Sequence, residues 1–308
     1  MERRRVAIIG TGVIGASWAT CFLARGLAVT ASDPAPDAEE RLRAQIARQW
    51  AGAEALGLAP EASPERLRFC SDPLEAVKDA DFVQENGPER LDFKRTLFAA
   101  VDEAAPAHAI LASSSSGIPA SEFQTACRRP ERVLIGHPFN PPHILPLVEV
   151  VGGQATSEAA ITQAMTFYRA VGKHPIRLRI ERPGHLANRL QAALWREAVD
   201  AVSSGQADVA DVDAAVTMAL GPRWALMGPF ATFHLGGGSQ GLSHFLDHLG
   251  RPFEDLWDDA KRPSMTPELK QRLIDGVSLS TGGQRPKDLM AERDRRLPHI
   301  LDVATGRR

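Results

Sequence analysis

The chain has 308 residues, a length that accommodates two domains, and its 36 Lys plus Arg nearly cancel its 38 Asp plus Glu, leaving a formal charge of −2. That balance argues against a nucleic-acid or other polyanion partner, and 44% hydrophobic with 24% charged residues excludes bulk disorder. Cys21, Cys70 and Cys127 are odd in number and lack CxxC spacing, so neither a disulfide framework nor a thiolate zinc site is indicated.

Met1-Glu2-Arg3-Arg4-Arg5 before Val6–Ile9 mimics the start of a signal peptide, but the apolar run breaks at Gly10 and Gly12. No stretch of about 18 consecutive apolar residues follows, so a soluble cytoplasmic protein with no membrane span is expected. Seven short β-rich runs come next: Val6–Ile9, Ala28–Ser32, Phe82–Glu85, Ile110–Ser113, Val133–Gly136, Leu147–Val151 and Ile176–Ile180. Helical patterns at Ile14–Arg25, Glu39–Ala55, Glu89–Ala104 and Ser157–Val171 separate them. This alternation predicts an α/β fold, a Rossmann-like and mostly parallel sheet with helices on both faces. After Arg182-Pro183-Gly184 the pattern becomes helical, with Leu186, Leu190, Ala193, Leu194 and Val199 at three- and four-residue steps. Further helical stretches from Val209 reach about Leu249. The reading is therefore an N-terminal domain over 1–182 and an all-helical C-terminal domain over 183–308. The last forty or so residues are expected to be the most loosely held.

Gly10-Thr11-Gly12-Val13-Ile14-Gly15 follows a buried-strand run and opens a helix. Gly10 suits a tight turn, Gly12 admits a pyrophosphate to the backbone, and Gly15 allows close helix–strand packing. Helix N–H groups at Val13 and Ile14 add donors for phosphate. Asp33 ends the second strand, 18 residues past Gly15, where a carboxylate accepts from ribose hydroxyls and repels a 2′-phosphate. NAD, rather than NADP, is the cofactor this predicts. Glycines that serve packing alone are the bland alternative, and a glycine loop for S-adenosylmethionine is another.

His137 follows the run Val133–Gly136, at the carboxyl edge where open α/β sheets bind ligands. Glu149, twelve residues on, stands among Leu and Val, where a carboxylate needs a partner. The economical pairing is Glu149 accepting from one ring nitrogen of His137, so that the other can take a hydroxyl proton as general base. A core histidine bonded to backbone is the competing reading. Ser113–Ser116 ends another strand and can offer a hydroxyl to a substrate oxygen. Asn188, read as one turn inside the first C-terminal helix, is either a substrate donor or a cap. His244 and His248 share a helix face near His234, but without a metalloprotease glutamate or a nearby cysteine no metal is expected.

These segments, together with Pro88-Glu89-Arg90-Leu91-Asp92-Phe93-Lys94 and Pro183-Gly184-His185-Leu186-Ala187-Asn188-Arg189, resemble the L-3-hydroxyacyl-CoA dehydrogenase family in order and spacing. The resemblance implies an NAD domain, a helical domain that forms a homodimer, and oxidation of a 3-hydroxyl to a ketone. It implies His137 as catalytic base, Glu149 as its orienting partner, and substrate contacts at Ser116 and Asn188. Glu89, Lys94 and Asn140 match cofactor-side positions. Gly184-His185 stands where the family carries Gly-Phe, and the C-terminal segment of the short acyl-CoA members is missing. Gly221–Phe230 instead resembles the branch containing L-carnitine dehydrogenase and L-gulonate 3-dehydrogenase, the lambda-crystallin group, which implies a free, small 3-hydroxy acid as substrate. Arg223 could hold its carboxylate, and Trp195, Trp224 or Phe230 could face a quaternary ammonium, although such aromatics commonly serve a core or a dimer interface.

Two alternatives stay open: a 3-hydroxyacyl-CoA thioester as substrate, and a non-catalytic NAD-binding or structural protein. A related dehydrogenase with a catalytic lysine in its second domain is disfavoured. Only six of the basic residues are lysines, and none falls between Lys173 and Lys261.

Overall fold

The computed structural model describes residues 5–306. Met1–Arg4 of the basic start and Arg307-Arg308 lie outside the described residues. The chain divides into two compact units, Met1–Asn188 and Arg189–Arg308.

Among the described residues the first unit holds eight strands: β1 Arg5–Ile9, β2 Ala28–Ser32, β3 Leu67–Cys70, β4 Phe82–Glu85, β5 Ile110–Ser113, β6 Val133–Pro138, β7 Leu147–Gly152 and β8 His174–Leu178. Their order is β3-β2-β1-β4-β5-β6-β7-β8, and every pair is parallel except β6 with β7. The order reverses between β1 and β4, and ligands of doubly wound sheets bind at the carboxyl ends beside such a reversal. Helices α1 Val13–Ala24, α2 Ala38–Ala55, α3 Pro73–Val77, α4 Leu91–Ala104, α5 Ala120–Gln124 and α6 Glu158–Ala170 cover the two faces. Strand periodicity divides the core. Val6, Ile8, Val29, Phe82 and Leu134 pack with Trp18, Phe22 and Phe167 on one face. Ala7, Ile9, Val83, Val133 and Ile135 pack with Phe98 and Phe123 on the other.

Three elements escape the sequence reading. β3 is an edge strand with one buried residue, so it carries no apolar run. α3 and α5 are five residues each, too short for a helical period; α3 is announced only by Asp72, whose side chain accepts from Leu74 N at 2.8 Å. β8 lies two residues earlier than Ile176–Ile180, because its pairing with β7 runs from Leu147↔His174 to Val151↔Leu178. β6 extends through His137 to Pro138, so His137 lies in the strand rather than after it.

The helices that follow are α7 Ala187–Ser204, α8 Val209–Ala215 with a π-type turn at Val216–Leu220, α9 Gly221–Leu226, α10 Pro229–Gly236 and α11 Gly241–Asp259. The final forty residues, expected to be loose, form α12 Pro267–Ser280 and α13 Pro286–Ala304. Each opens on a proline, and Thr266 caps α12 by accepting from Leu269 N at 3.2 Å. No described helix is long and apolar enough to cross a membrane.

Candidate active site

The first half of the site is the turn from β1 into α1. Gly10 has φ +83°, and a Cβ there would lie 2.7 Å from the Asn86 carbonyl oxygen. A Cβ on Gly15 would meet the Gly10 carbonyl oxygen at 1.9 Å, so both positions demand glycine. Gly12 is different: nothing lies within 4 Å of its would-be Cβ. It precedes α1 without a side-chain cap, and the first turn, with Val13 and Ile14, holds no acidic residue. The helix N-terminus therefore presents free amides to an open space, which fits a pyrophosphate.

Asp33 follows β2. Its Oδ2 accepts from Thr11 N at 2.8 Å and Thr11 Oγ at 3.0 Å, and Oδ1 accepts from Ala35 N at 2.9 Å. Burial pushes its carboxyl up, but these hydrogen bonds outweigh burial and hold it below the usual carboxylate range. The glycine cradle and the ionised Asp33 together fit NAD.

The second half lies at the ends of β5, β6 and β7. His137 and Glu149 are direct partners across the antiparallel β6–β7 pair. The imidazole is 6% exposed and the glutamate 0%, with His137 Nδ1 at 2.9 Å from Glu149 Oε2. A buried carboxylate held ionised only accepts, so the ring carries its proton on Nδ1 and leaves the Nε2 lone pair to act. Glu149 has a second task. Its Oε1 accepts from Leu186 N at 2.9 Å and Ala187 N at 2.8 Å, capping the start of α7. Burial raises the Glu149 carboxyl, but the His137 bond and these two amides overcome it and lower the pKa.

Glu89, read as a cofactor-side residue, organises the serine turn in the structure. Its Oε1 accepts from Ser115 Oγ at 2.7 Å, Ser116 N at 3.0 Å and Gly117 N at 2.7 Å. Burial raises its pKa, yet these bonds and the Lys94 charge bring it below its ordinary value. Lys94, also read as cofactor-side, is 1% exposed and spends its ammonium on Glu85, 2.9 and 3.0 Å to the two carboxylate oxygens, with Glu89 Oε2 at 3.5 Å. It reaches the serine turn through Glu89 and through Ser113 Oγ, which lies 3.4 Å from Nζ.

Of the four serines, Ser113 donates to Glu85, Ser114 to Asn86 and Ser115 to Glu89. Ser116 alone makes no side-chain hydrogen bond among the described residues, so its hydroxyl is available. Asn140 is exposed beyond β6. Asn188 is half-buried and is the second residue of α7, in its first turn rather than one turn inside.

Several contributors went unread in the sequence. Asn86 backs Gly10 and donates through Nδ2 to the Gln84 carbonyl at 2.9 Å. Gln84 is wholly buried; it accepts from Tyr168 Oη at 2.6 Å and donates to Ser114 Oγ at 2.8 Å and the Gly136 carbonyl at 3.1 Å. Burial pushes the phenol of Tyr168 far up, so it stays a neutral donor. An isolated Gln, Asn or Tyr carries no spacing signal, because most of these partners lie tens of residues away.

In the second unit Trp195, Trp224 and Phe230 are 56%, 39% and 79% exposed, and Arg223 Nε donates to the Ala219 carbonyl of its own helical stretch. His248 Nδ1 lies 2.9 Å from the His244 carbonyl oxygen. Among the described residues no group of three or more His, Cys, Asp and Glu is arranged for a metal ion.

The sequence pattern of the 3-hydroxyacyl-CoA dehydrogenase NAD binding domain matches residues 5–181, and that of the C-terminal domain matches residues 184–270. L-Carnitine dehydrogenase of Streptomyces griseus is 51% identical over 304 residues, covering 99% of this chain and 90% of that protein. The Pseudomonas aeruginosa enzyme of the same name is 43% identical over 300 residues, 97% of this chain and 94% of its own. Among solved structures, 5-formyl-3-hydroxy-2-methylpyridine 4-carboxylic acid 5-dehydrogenase, an NAD+ dependent dismutase, superposes with a TM-score of 0.84 at 33% identity, over 98% of this chain and 99% of that one. Escherichia coli 3-hydroxybutyryl-CoA dehydrogenase gives a TM-score of 0.66 at 29% identity, over 90% of this chain and 57% of that one.

Proposed function

The chain belongs to the 3-hydroxyacyl-CoA dehydrogenase family, and from that premise we propose that its substrate is L-carnitine or a close free analogue, oxidised at the 3-hydroxyl to the 3-keto acid. The reaction class is that of an NAD-dependent dehydrogenase acting on the CH–OH group of a small 3-hydroxy acid. One observation carries the substrate reading: near full-length likeness to L-carnitine dehydrogenases at 42–51% identity, against 29% for the 3-hydroxybutyryl-CoA enzyme. A thioester substrate therefore ranks second.

In this reading NAD, when bound, supplies the nicotinamide ring that accepts the hydride from C3. Amides at Gly12, Val13 and Ile14 would hold its pyrophosphate, Asp33 would accept from its ribose hydroxyls, and Asn140 would be a further cofactor-side contact. Ser116 and Asn188 hold the substrate hydroxyl. His137 Nε2 takes the hydroxyl proton as the C3–H bond breaks, and Glu149 balances the positive charge that the ring then carries. Glu89 and Lys94 act one step back, by fixing the serine turn.

Residues 1–182 form the NAD-binding domain in this reading, and 183–308 the substrate and dimerisation domain of a cytoplasmic homodimer. The second unit buries few apolar side chains, Val199, Val202 and Phe245 among them, while Met218, Phe230, Trp257 and Leu279 are 81%, 79%, 69% and 84% exposed. Apolar surface on that scale calls for a covering partner, and a second copy of this chain supplies one.

The test is NAD reduction at alkaline pH with L-carnitine, D-carnitine, gulonate, 3-hydroxybutyrate and its CoA thioester. Turnover of L-carnitine well above the rest is the expected result. Turnover of the thioester alone would overturn the proposal.

A further inference from the structure

Resting on the reading of the site as a dehydrogenase centre, we propose that His185 is a positioning residue: it joins the Ser115–Ser116 turn to the His137–Glu149 pair and so sets the spacing of the two groups that flank the substrate hydroxyl.

Four consecutive residues form a bracket. Gly184 N donates to the Ser116 carbonyl at 3.0 Å, and the His185 ring lies with Nε2 at 2.9 Å from the Ser115 carbonyl. Leu186 N and Ala187 N then donate to Glu149. Two bonds grip the serine turn and two grip the catalytic carboxylate, from one short segment. The backbone reversal that aims them is unusual: Gly184 has φ +77° and His185 φ +50°. A non-glycine residue in the left-handed region is strained, and such strain persists where the surroundings enforce it.

The ring is placed with similar insistence. His185 is 5% exposed, and its centroid lies 5.0 Å from that of His137. A carbonyl only accepts, so Nε2 carries the proton, and Nδ1 is left buried without a hydrogen-bond partner among the described residues. Burial lowers its pKa, keeping a second cation away from His137. A side chain whose sole purpose was to fill space there would not need a left-handed backbone or a buried unpaired nitrogen. The Ser115 hydrogen bond is what the ring gains in return.

The experiment compares His185→Gln, which keeps a donor at the same reach, with His185→Phe, which keeps a ring and loses the donor. In the Phe variant kcat is expected to fall about tenfold or more while KM for NAD stays within about twofold, because a loosened turn misplaces Ser116 without touching the dinucleotide cradle. The Gln variant is expected to recover most of the loss. If Phe does not fold, His185→Asn substitutes for it, since Asn tolerates the left-handed backbone but is too short to reach the Ser115 carbonyl. Amide hydrogen exchange of the unliganded protein gives a second readout that does not depend on substrate: Ser115–Ile118 should exchange faster in Phe or Asn than in wild type or Gln. Unchanged kcat in a folded Phe or Asn variant overturns the proposal, as does unchanged exchange at those amides. A wild type inactive on every substrate would defeat the functional reading alone, leaving the exchange result to decide the bracket.

Discussion

In the proposed mechanism His137 acts from Nε2 because Glu149 holds Nδ1, 2.9 Å away. Replacing His137 by Ala should reduce kcat by about 10²–10⁴-fold, the range for loss of a general base, while NAD binding measured by calorimetry stays near wild type. Loss of NAD binding as well would mean that the ring serves the fold rather than the proton. The pH dependence of stability follows from the same residues. Glu149, Glu89 and Asp33 have lowered pKa values in the folded state, so their contribution is present above the unfolded carboxylate range, about pH 4, and is lost as pH falls through the folded values. His185 is also lowered; its neutral form is favoured by folding, so its contribution is present above about pH 6.5 and is lost as pH falls below that. Its charged neighbours are His137, Glu149 and Glu89. Thermal melting of wild type should therefore begin to weaken below about pH 6.5, before the carboxylates titrate, and His185→Phe should flatten that first decline. An identical decline in both proteins would remove His185 as its source.

At the scale of elements, the antiparallel register of β6 and β7 places His137 opposite Glu149, and a slip of one residue would send the two side chains to opposite faces. The register is locked next door. A Cβ on Gly136 would lie 1.8 Å from the Tyr168 hydroxyl oxygen, which occupies the space a side chain would need. Gly136→Ala should cost about 1–3 kcal/mol of stability through overpacking. In a Tyr168→Phe background, where that oxygen is absent, denaturant titration should show a smaller cost. Equal costs in both backgrounds would locate the strain elsewhere. The strands and long helices of this sheet are legible in the sequence because their periodicity is local. β3, α3 and α5 are not, because an edge strand and single-turn helices are defined by their neighbours.

For the whole molecule, the contrast between the two units is one of burial. The first encloses two dense apolar faces, whereas the second leaves Leu190, Trp195, Met218, Phe230 and Trp257 between 56% and 81% exposed. Sedimentation equilibrium at micromolar concentration should give twice the mass of the 33.3 kDa chain, and Phe230→Asp with Trp257→Asp should shift it toward one. A monomeric wild type at that concentration would discard the dimer.

The sequence by itself determined the dinucleotide fingerprint, Asp33 and the parallel α/β pattern, because each rests on spacing within or between neighbouring elements; it suggested His137 as a partner for Glu149, and the β6–β7 register supplied the contact. The absence of lysine between Lys173 and Lys261 also counts against a lysine-dependent chemistry. Only the tertiary structure decided the rest. Lys94 is buried against Glu85, Ser116 is the one of the four serines whose hydroxyl makes no hydrogen bond among the described residues, and Glu149 acquired the amides of Leu186 and Ala187, 37 and 38 residues away. His185 took a left-handed turn to reach Ser115 across 70 residues. Those choices are settled by which buried donor finds which acceptor once water is excluded, a competition that no local pattern records.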